Sequence, residues 1–196
     1  MCGLSDRFAA AVAAIDAANA ADPQRVTVRG EDLPLAVAHG RLAAEWVAQL
    51  VDSPDDAMLL AARAHHLRRW ELARASYPEG RAGYLRWRRD QKQRHAADVV
   101  GVLGGVGYDE ATINRVQVLL RRVRLDDESG TQVMEDAACL AFLETQLGDL
   151  AGRLDDEHMV SVVQKVAAKM SPGALDLVGR IPLDDEGVAL LGRALS

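Results

Sequence analysis

Apolar residues recur at helical spacing along most of this chain, and that spacing most restricts the fold. In residues 35–51 one continuous helical face carries His39, Leu42, Ala43, Trp46 and Leu50. A β-like VTV followed by Arg29-Gly30 predicts only a short extended loop or hairpin within 25–33. The sequence therefore predicts an all-α fold, with further helices over 6–20, 58–69, 83–104, 110–122, 133–150 and 156–170 and two shorter ones around 173–179 and 184–195.

Length and composition are typical of one soluble domain. A chain of 196 residues can bury a core without disulfides, and Cys2 and Cys139 are its two cysteines, which favours a reducing compartment. No apolar run approaches the ~20 residues of a membrane span, and the first residues do not resemble a secretory signal. We therefore expect a cytoplasmic protein with no membrane partner.

A basic segment interrupts this acidic chain. Residues 63–95 contain nine Arg and one Lys against three acids, whereas the whole chain has a net charge of −6. The overall acidity argues against a nucleic-acid partner, which needs extended positive surface. The local basic charge favours a small phosphorylated or carboxylated ligand. The sequence does not define an oligomeric state and leaves a homodimer open.

Histidines occupy the inward faces of several predicted helices. His39, His65 with His66, and His95 lie on three different helices, and Asp136 lies among apolar residues on a fourth. Imidazoles and a carboxylate together can bind a divalent metal such as Mn, Fe, Zn or Mg. Alternatively, each of these groups is a core residue satisfied by a backbone carbonyl or a neighbouring side chain.

Arginines interleaved with aromatic residues are candidates for substrate binding, because guanidinium groups bind phosphate and carboxylate bidentately. Most arginines of the later helix (Arg86, Arg88, Arg89 and Arg94) are expected to form a solvated face. Those flanking the loop near the histidines are the candidates, with salt bridges within the protein as the alternative. The predicted substrate-binding residues are Arg69, Trp70, Arg74, Tyr77 and Arg81.

The order of these residues resembles the HD-domain superfamily of metal-dependent phosphohydrolases. The resemblance implies an HD-like core over about 35–150, with C-terminal helices from 155 to 195 packed on it. His39 would be the first ligand, His65 the motif histidine, His95 an accessory ligand and Asp136 the last ligand. This chain departs from the pattern at His66, which stands where the superfamily has a metal-binding aspartate. His65, His66 and Asp136 would form the catalytic group.

A closer resemblance, over about 8–170, is to the uncharacterised DUF4202 family. It is carried by AIDAANAADP, RRWELARASYPEGRAGYLRWR and MEDAACLAFLE. Ala73 stands where the family usually has proline. The recurrent family pattern matches His66, Arg69, Trp70, Arg74, Tyr77, Pro78, Arg81, Gly83, Tyr84, Trp87 and Arg88.

Three functions follow as hypotheses. The first is a metal-dependent hydrolase, by analogy a phosphohydrolase, acting on a small anionic substrate. The second is a di-iron oxygenase, because some HD relatives hold two irons and activate O₂. The third is a metal-free helical module that binds a ligand or a partner, which the missing motif aspartate keeps open.

Overall fold

The computed structural model describes residues 4–123, 130–151 and 156–195. Within these ranges the all-α prediction is confirmed, because helices form almost all of the regular structure. The two strands, β1 (Arg25–Val28) and β2 (Glu31–Pro34), make one small antiparallel hairpin, and short 3₁₀ turns lie at Arg69–Glu71, Arg74–Ser76 and Val178–Arg180. The helices are α1 (Leu4–Asn19), α2 (Leu35–Leu50), α3 (Asp56–Ala64), α4 (Gly80–Gly105), α5 (Glu110–Arg121), α6 (Thr131–Ala151), α7 (Asp156–Ala167), α8 (Pro172–Leu177) and α9 (Asp185–Leu195).

The hairpin is closed by a two-residue turn, and Arg29 in that turn joins it to two helices. Arg29 and Gly30 adopt positive φ values of 49° and 83°, and a two-residue hairpin turn of type I′ requires positive φ at both positions. The Arg29 guanidinium donates to Glu144 on α6 at 2.8 Å and to Glu45 on α2 at 2.9 Å. Glu144 also accepts from the Trp46 indole at 3.1 Å. The carboxylate of Glu144, which lies on the largely apolar helix α6, is therefore paired with Arg29 and Trp46.

Helix α3 ends earlier than its sequence pattern predicts. The prediction ran to residue 69, but the helix ends at Ala64 and Arg68 adopts left-handed φ and ψ values of 49° and 37°. The Arg68 backbone N–H donates to the Asn19 side chain at 2.9 Å, and Leu67 is fully buried. A partner 49 residues away in sequence thus replaces the next helical hydrogen bond. His65 and His66 consequently lie in a corner after the helix.

The helices pack around one contiguous cluster of buried apolar side chains, which draws members from α1 through α9. Helix α2 packs against α3 and α6, while α5 packs against α3 and α4. Helix α7 contacts α6 and α9. No helix in the described ranges is both long and apolar enough to cross a bilayer. The acidic stretch LDDESGT at 125–131 predicts a loop, and most of it falls within residues 124–129, outside the described ranges.

Helices α2 and α3 approach each other most closely at Gly40. A Cβ atom at this position would lie 2.4 Å from the backbone oxygen of Arg63. Arg63 is held in turn by two hydrogen bonds from its guanidinium to Asp16 on α1. Because the neighbouring atom belongs to the backbone, it cannot rotate away, and only glycine permits this contact. The contact brings His39, the residue before Gly40, up to the end of α3.

We expect Gly40→Ala to reduce the free energy of unfolding by about 1–3 kcal/mol, because the added methyl group overpacks a backbone contact. Gly101→Ala is the matched control, since it is also helical but has no atom within 4 Å of its Cβ position. That variant should be neutral or more stable by roughly 0.5–1 kcal/mol. Urea unfolding of both variants provides the measurement, and equal effects would contradict the packing argument.

Candidate metal centre

Four imidazoles meet where α2, the end of α3 and α4 come together. We call His39, His65, His66 and His95 the histidine cluster. The ring centroids of His39 and His66 are 4.2 Å apart, those of His65 and His66 are 4.3 Å apart, and His95 lies 6.4 Å from His66. The fold therefore brings together the four histidines that the sequence placed on inward faces.

Two members of the cluster have their tautomer set by backbone carbonyls. His65 Nδ1 lies 2.8 Å from the oxygen of Ala62, and His95 Nδ1 lies 2.8 Å from the oxygen of Leu67. A carbonyl can only accept, so in the neutral imidazole each Nδ1 must carry the proton. Each Nε2 then has a free lone pair, and neither Nε2 has a hydrogen-bond partner among the described residues.

His39 is oriented in the same way by a hydroxyl group. Its Nε2 lies 2.9 Å from Thr145 Oγ1 on α6, and that hydroxyl donates its one proton to the Ala141 oxygen at 2.7 Å. The hydroxyl oxygen therefore accepts from the His39 Nε2–H. This leaves the lone pair on His39 Nδ1, which is buried and has no partner in the described part of the chain.

His66 completes the group and is the least enclosed of the four. It is half-buried, whereas the other three are buried, and its Nδ1 also lacks a partner among the described residues. One ring nitrogen from each of His39, His65 and His66 lies within 4.8 Å of the other two. Buried polar atoms are normally satisfied, so three neighbouring histidines that each have an unpartnered ring nitrogen form a candidate metal site.

Burial keeps these imidazoles neutral. It lowers the pKa of His65 to about 3 and lowers the pKa of His39, His66 and His95 well below the ordinary value. The positive charge of Arg69 lowers the pKa of all four further. A neutral imidazole is the form that binds a metal, so no proton must be displaced near neutral pH.

Asp136 lies on α6, but its carboxylate makes other contacts. Oδ1 accepts from the Ser171 backbone N–H at 2.9 Å and from Gln132 at 2.8 Å, and Oδ2 accepts from the Ser171 hydroxyl at 2.6 Å. Ser171 is the N-cap of α8. The carboxylate thus joins α6 to the start of α8 and does not belong to the group of convergent nitrogens.

Of the three candidate substrate-binding arginines, Arg69 is the one whose positive charge lowers the pKa of all four histidines. The Arg69 guanidinium stacks on the Trp87 ring at 4.5 Å. Arg74 donates to the backbone oxygens of Tyr77 and Gly80, and Arg81 is exposed in the first turn of α4. The two aromatic candidates also lie in this region: Trp70 is half-buried, and Tyr77 donates its hydroxyl to Asp90 at 3.0 Å.

Sequence reasoning missed a buried carboxylate that contacts three cations. Glu135 on α6 lies 3.2 Å from Arg122, 3.6 Å from Lys92 and 3.7 Å from Arg88. The sequence predicts Arg88 as part of a solvated helix face, but its guanidinium lies 3.7 Å from Glu135. A signal in the sequence is the spacing of Arg88, Lys92 and His95, which fall at i, i+4 and i+7 and share one face of α4.

The lowered pKa of His65 predicts a loss of stability in acid for the metal-free protein. The unfolded side chain binds its proton at about pH 6.5 and the folded one at about 3, so the unfolded state gains protons first as the pH falls. Stability should be complete above that upper value and decline below it by about 1.4 kcal/mol per pH unit for each such histidine. Unfolding in chelator should show this slope, and His65→Asn should reduce it; an unchanged slope would contradict the prediction.

Comparison with protein families gives one match, and it agrees with the DUF4202 resemblance. The family model described as "Domain of unknown function (DUF4202)" matches residues 9–191. Neither the curated proteins nor the solved structures that were compared contain a match. The HD-domain resemblance is tested by none of these comparisons and stays a prediction. Because the family model spans nearly the whole sequence, the chain belongs to the DUF4202 family.

Proposed function

We propose that this protein is a metal-dependent enzyme that acts on a small anionic substrate, with phosphoester hydrolysis as the first candidate reaction. The observation that carries the proposal is that His39, His65 and His66 offer ring nitrogens within 4.8 Å of one another, while each also has a buried ring nitrogen without a partner among the described residues. Histidines that are only core residues are expected to have their buried ring nitrogens satisfied.

The proposed ligands are His39, His65 and His66, with His95 beside them. Three nitrogens bound at ~2.1 Å to one tetrahedral ion lie ~3.4 Å apart, so ring nitrogens that are within 4.8 Å of one another would draw together by up to ~1.4 Å when an ion binds. Neutral imidazoles suit Zn, Fe or Mn, whereas Mg prefers oxygen ligands. The donor set therefore fits Zn, Fe or Mn better than Mg.

The groups behind the imidazoles support this assignment. Metal-binding histidines usually donate their other ring N–H to a carbonyl, a carboxylate or another oxygen, which fixes the tautomer and the ring plane. The backbone oxygens of Ala62 and Leu67 and the hydroxyl of Thr145 have this role for His65, His95 and His39. The lone pairs are thus oriented before a metal binds.

The chemistry of the site follows from its charges and from the side on which a substrate can reach it. A bound divalent metal would lower the pKa of a coordinated water towards ~7 and polarise a phosphoryl oxygen. Arg69, beside the histidines, would attract the anionic substrate and hold it near the cluster. His66, as the half-buried member, marks the side from which a substrate can reach the site. The assignment of hydrolysis itself rests on the resemblance to the HD superfamily.

The proposal assigns Asp136 a structural role rather than a metal-binding one. Its two oxygens already accept three hydrogen bonds from Ser171 and Gln132, and breaking these would release the start of α8. An HD-like arrangement of this core would then lack a carboxylate at the His66 position and at the last ligand position. We accordingly propose an imidazole-rich variant of that arrangement.

Metal content is the first test. Protein purified without chelator or an affinity-tag metal should contain stoichiometric Zn, Fe or Mn by elemental analysis, and His65→Asn should lose it. Asp136→Asn is the matched control, which should lose stability but keep its metal. Loss of metal from Asp136→Asn with retained folding would restore the carboxylate to the ligand set.

The element found decides between the reactions. Phosphate release from small phosphoesters with Zn or Mn would support hydrolysis, whereas iron accompanied by oxygen consumption would favour an oxygenase. A protein that contains no metal and takes up none of the three would contradict the enzyme proposal and leave the metal-free binding module.

The role of Thr145 gives a second test of the same site. Thr145→Val keeps the shape of the side chain but removes the oxygen that accepts from His39, so we expect metal affinity to fall by about 10–100-fold. Thr145→Ser keeps the hydroxyl, so its metal affinity should stay within a few fold of that of the unaltered protein. Competition with a chromophoric chelator measures both constants, and equal affinities for the two variants would contradict the orienting role.

A further inference from the structure

A second cluster, of buried positive charge, lies next to the histidines. It consists of Arg88, Lys92 and Arg122 around the carboxylate of Glu135, and we call it the cationic cluster. All three lie within 4.0 Å of Glu135. Arg69 lies beside this part of α4, because its guanidinium stacks on the Trp87 ring at 4.5 Å and its backbone oxygen accepts from Gln91 at 2.8 Å.

The cationic cluster carries more positive charge than the described residues neutralise. Three cations around one carboxylate leave a net charge of +2. The centre of the cluster is well removed from solvent, because the side chains of Arg122 and Glu135 are only 7% and 6% exposed. Buried charges are normally paired, since an unpaired charge in a medium of low dielectric constant is costly. The cluster is therefore electrostatically incomplete by itself.

Two further observations agree with a missing anion. The Nε of Arg122 is buried and has no hydrogen-bond partner among the described residues. The pKa of Lys92 is lowered to about 8, mainly by burial and then by the charge of Arg122, although Glu135 lies beside it. Glu135 raises the pKa of Lys92, but not enough to offset burial and the charges of Arg122 and Arg88.

The cationic cluster is open on the side formed by α4. The Arg88 and Lys92 side chains are 30% and 22% exposed, so a solute can reach them without unfolding. His95 follows on the same face of α4 and belongs to the histidine cluster. A ligand bound between Arg88 and Lys92 would consequently lie beside the candidate metal centre.

We propose that the cationic cluster is a binding site for a dianionic group, of which a phosphate monoester is the chemical class that fits best. A dianion offsets the excess charge, and its several oxygens can accept from two guanidinium groups and one ammonium group together. A carboxylate has one charge and two oxygens and would leave half of that excess in place. Of the predicted trio of Arg69, Arg74 and Arg81, only Arg69 lies beside this site.

This inference deepens the proposed function, since it names the substrate class for the same site, but it is testable without any metal. Protein treated with chelator is titrated calorimetrically with inorganic phosphate at a pH where phosphate is a dianion. A parallel titration with acetate at equal ionic strength measures the binding of a monoanion. We expect phosphate to bind at least about tenfold more tightly than acetate.

Variants on α4 provide a matched comparison. Arg88→Gln and Lys92→Gln each remove one cation from the half-buried part of the cluster and should weaken phosphate binding by about tenfold. Arg86→Gln and Arg89→Gln remove the same type of charge from the outer face of the same helix, where the side chains are 67% and 68% exposed. These controls should change the constant by no more than about twofold, because exposed charges are screened.

Two outcomes would overturn the inference: phosphate binding no tighter than acetate binding, or equal weakening by the inner and outer variants. Metal uptake by the same preparations separates this inference from the proposed function. Phosphate binding without any metal uptake would retain the anion site and remove the enzyme proposal. Metal uptake without phosphate binding would retain the enzyme proposal and remove the anion site.

Discussion

The corner that follows α3 is the constraint on which the candidate site depends. A helix ends with backbone carbonyls that have no helical partner, and these need other donors. Here the Ala62 oxygen accepts from the His65 ring, and the Leu67 oxygen, just beyond the helix, accepts from the His95 ring. One of these hydrogen bonds is made at the end of α3 and the other in the corner beyond it, and together they fix two imidazole tautomers. The left-handed turn at Arg68, capped by Asn19, holds the corner in this shape.

Periodicity and turn chemistry predicted the secondary structure well, but they could not predict that corner. The all-α fold, the hairpin at 25–33 and the inward histidines all follow from local spacing, and the DUF4202 resemblance is confirmed by the family match. The early end of α3 depends on Asn19, which belongs to another helix. Thr145, which orients His39, is 106 residues away from it in sequence. Contacts of this kind leave no mark in a local pattern.

The roles of the acidic residues on helix α6 are the hardest to predict from the sequence. Glu135 and Asp136 are adjacent, so their side chains leave the helix about 100° apart and meet different surroundings. Asp136 meets Ser171 at the start of α8, and Glu135 meets the cations of α4 and Arg122. On a helix that is buried on most sides, apolar neighbours do not identify the functional face. The functional face is identified only by the charges on the elements that pack against the helix, and those elements are known only from the fold.

The two clusters make electrostatic sense as one site rather than two. A divalent metal at the histidines would add positive charge beside a cluster that already carries an excess of it, which is unfavourable in a buried environment. An anion bound at Arg88 and Lys92 would offset both charges at once. Each ligand should therefore favour the binding of the other, and by linkage the coupling is reciprocal. Neutral imidazoles beside unneutralised arginines are thus the arrangement expected of a site that binds a metal and a dianion together.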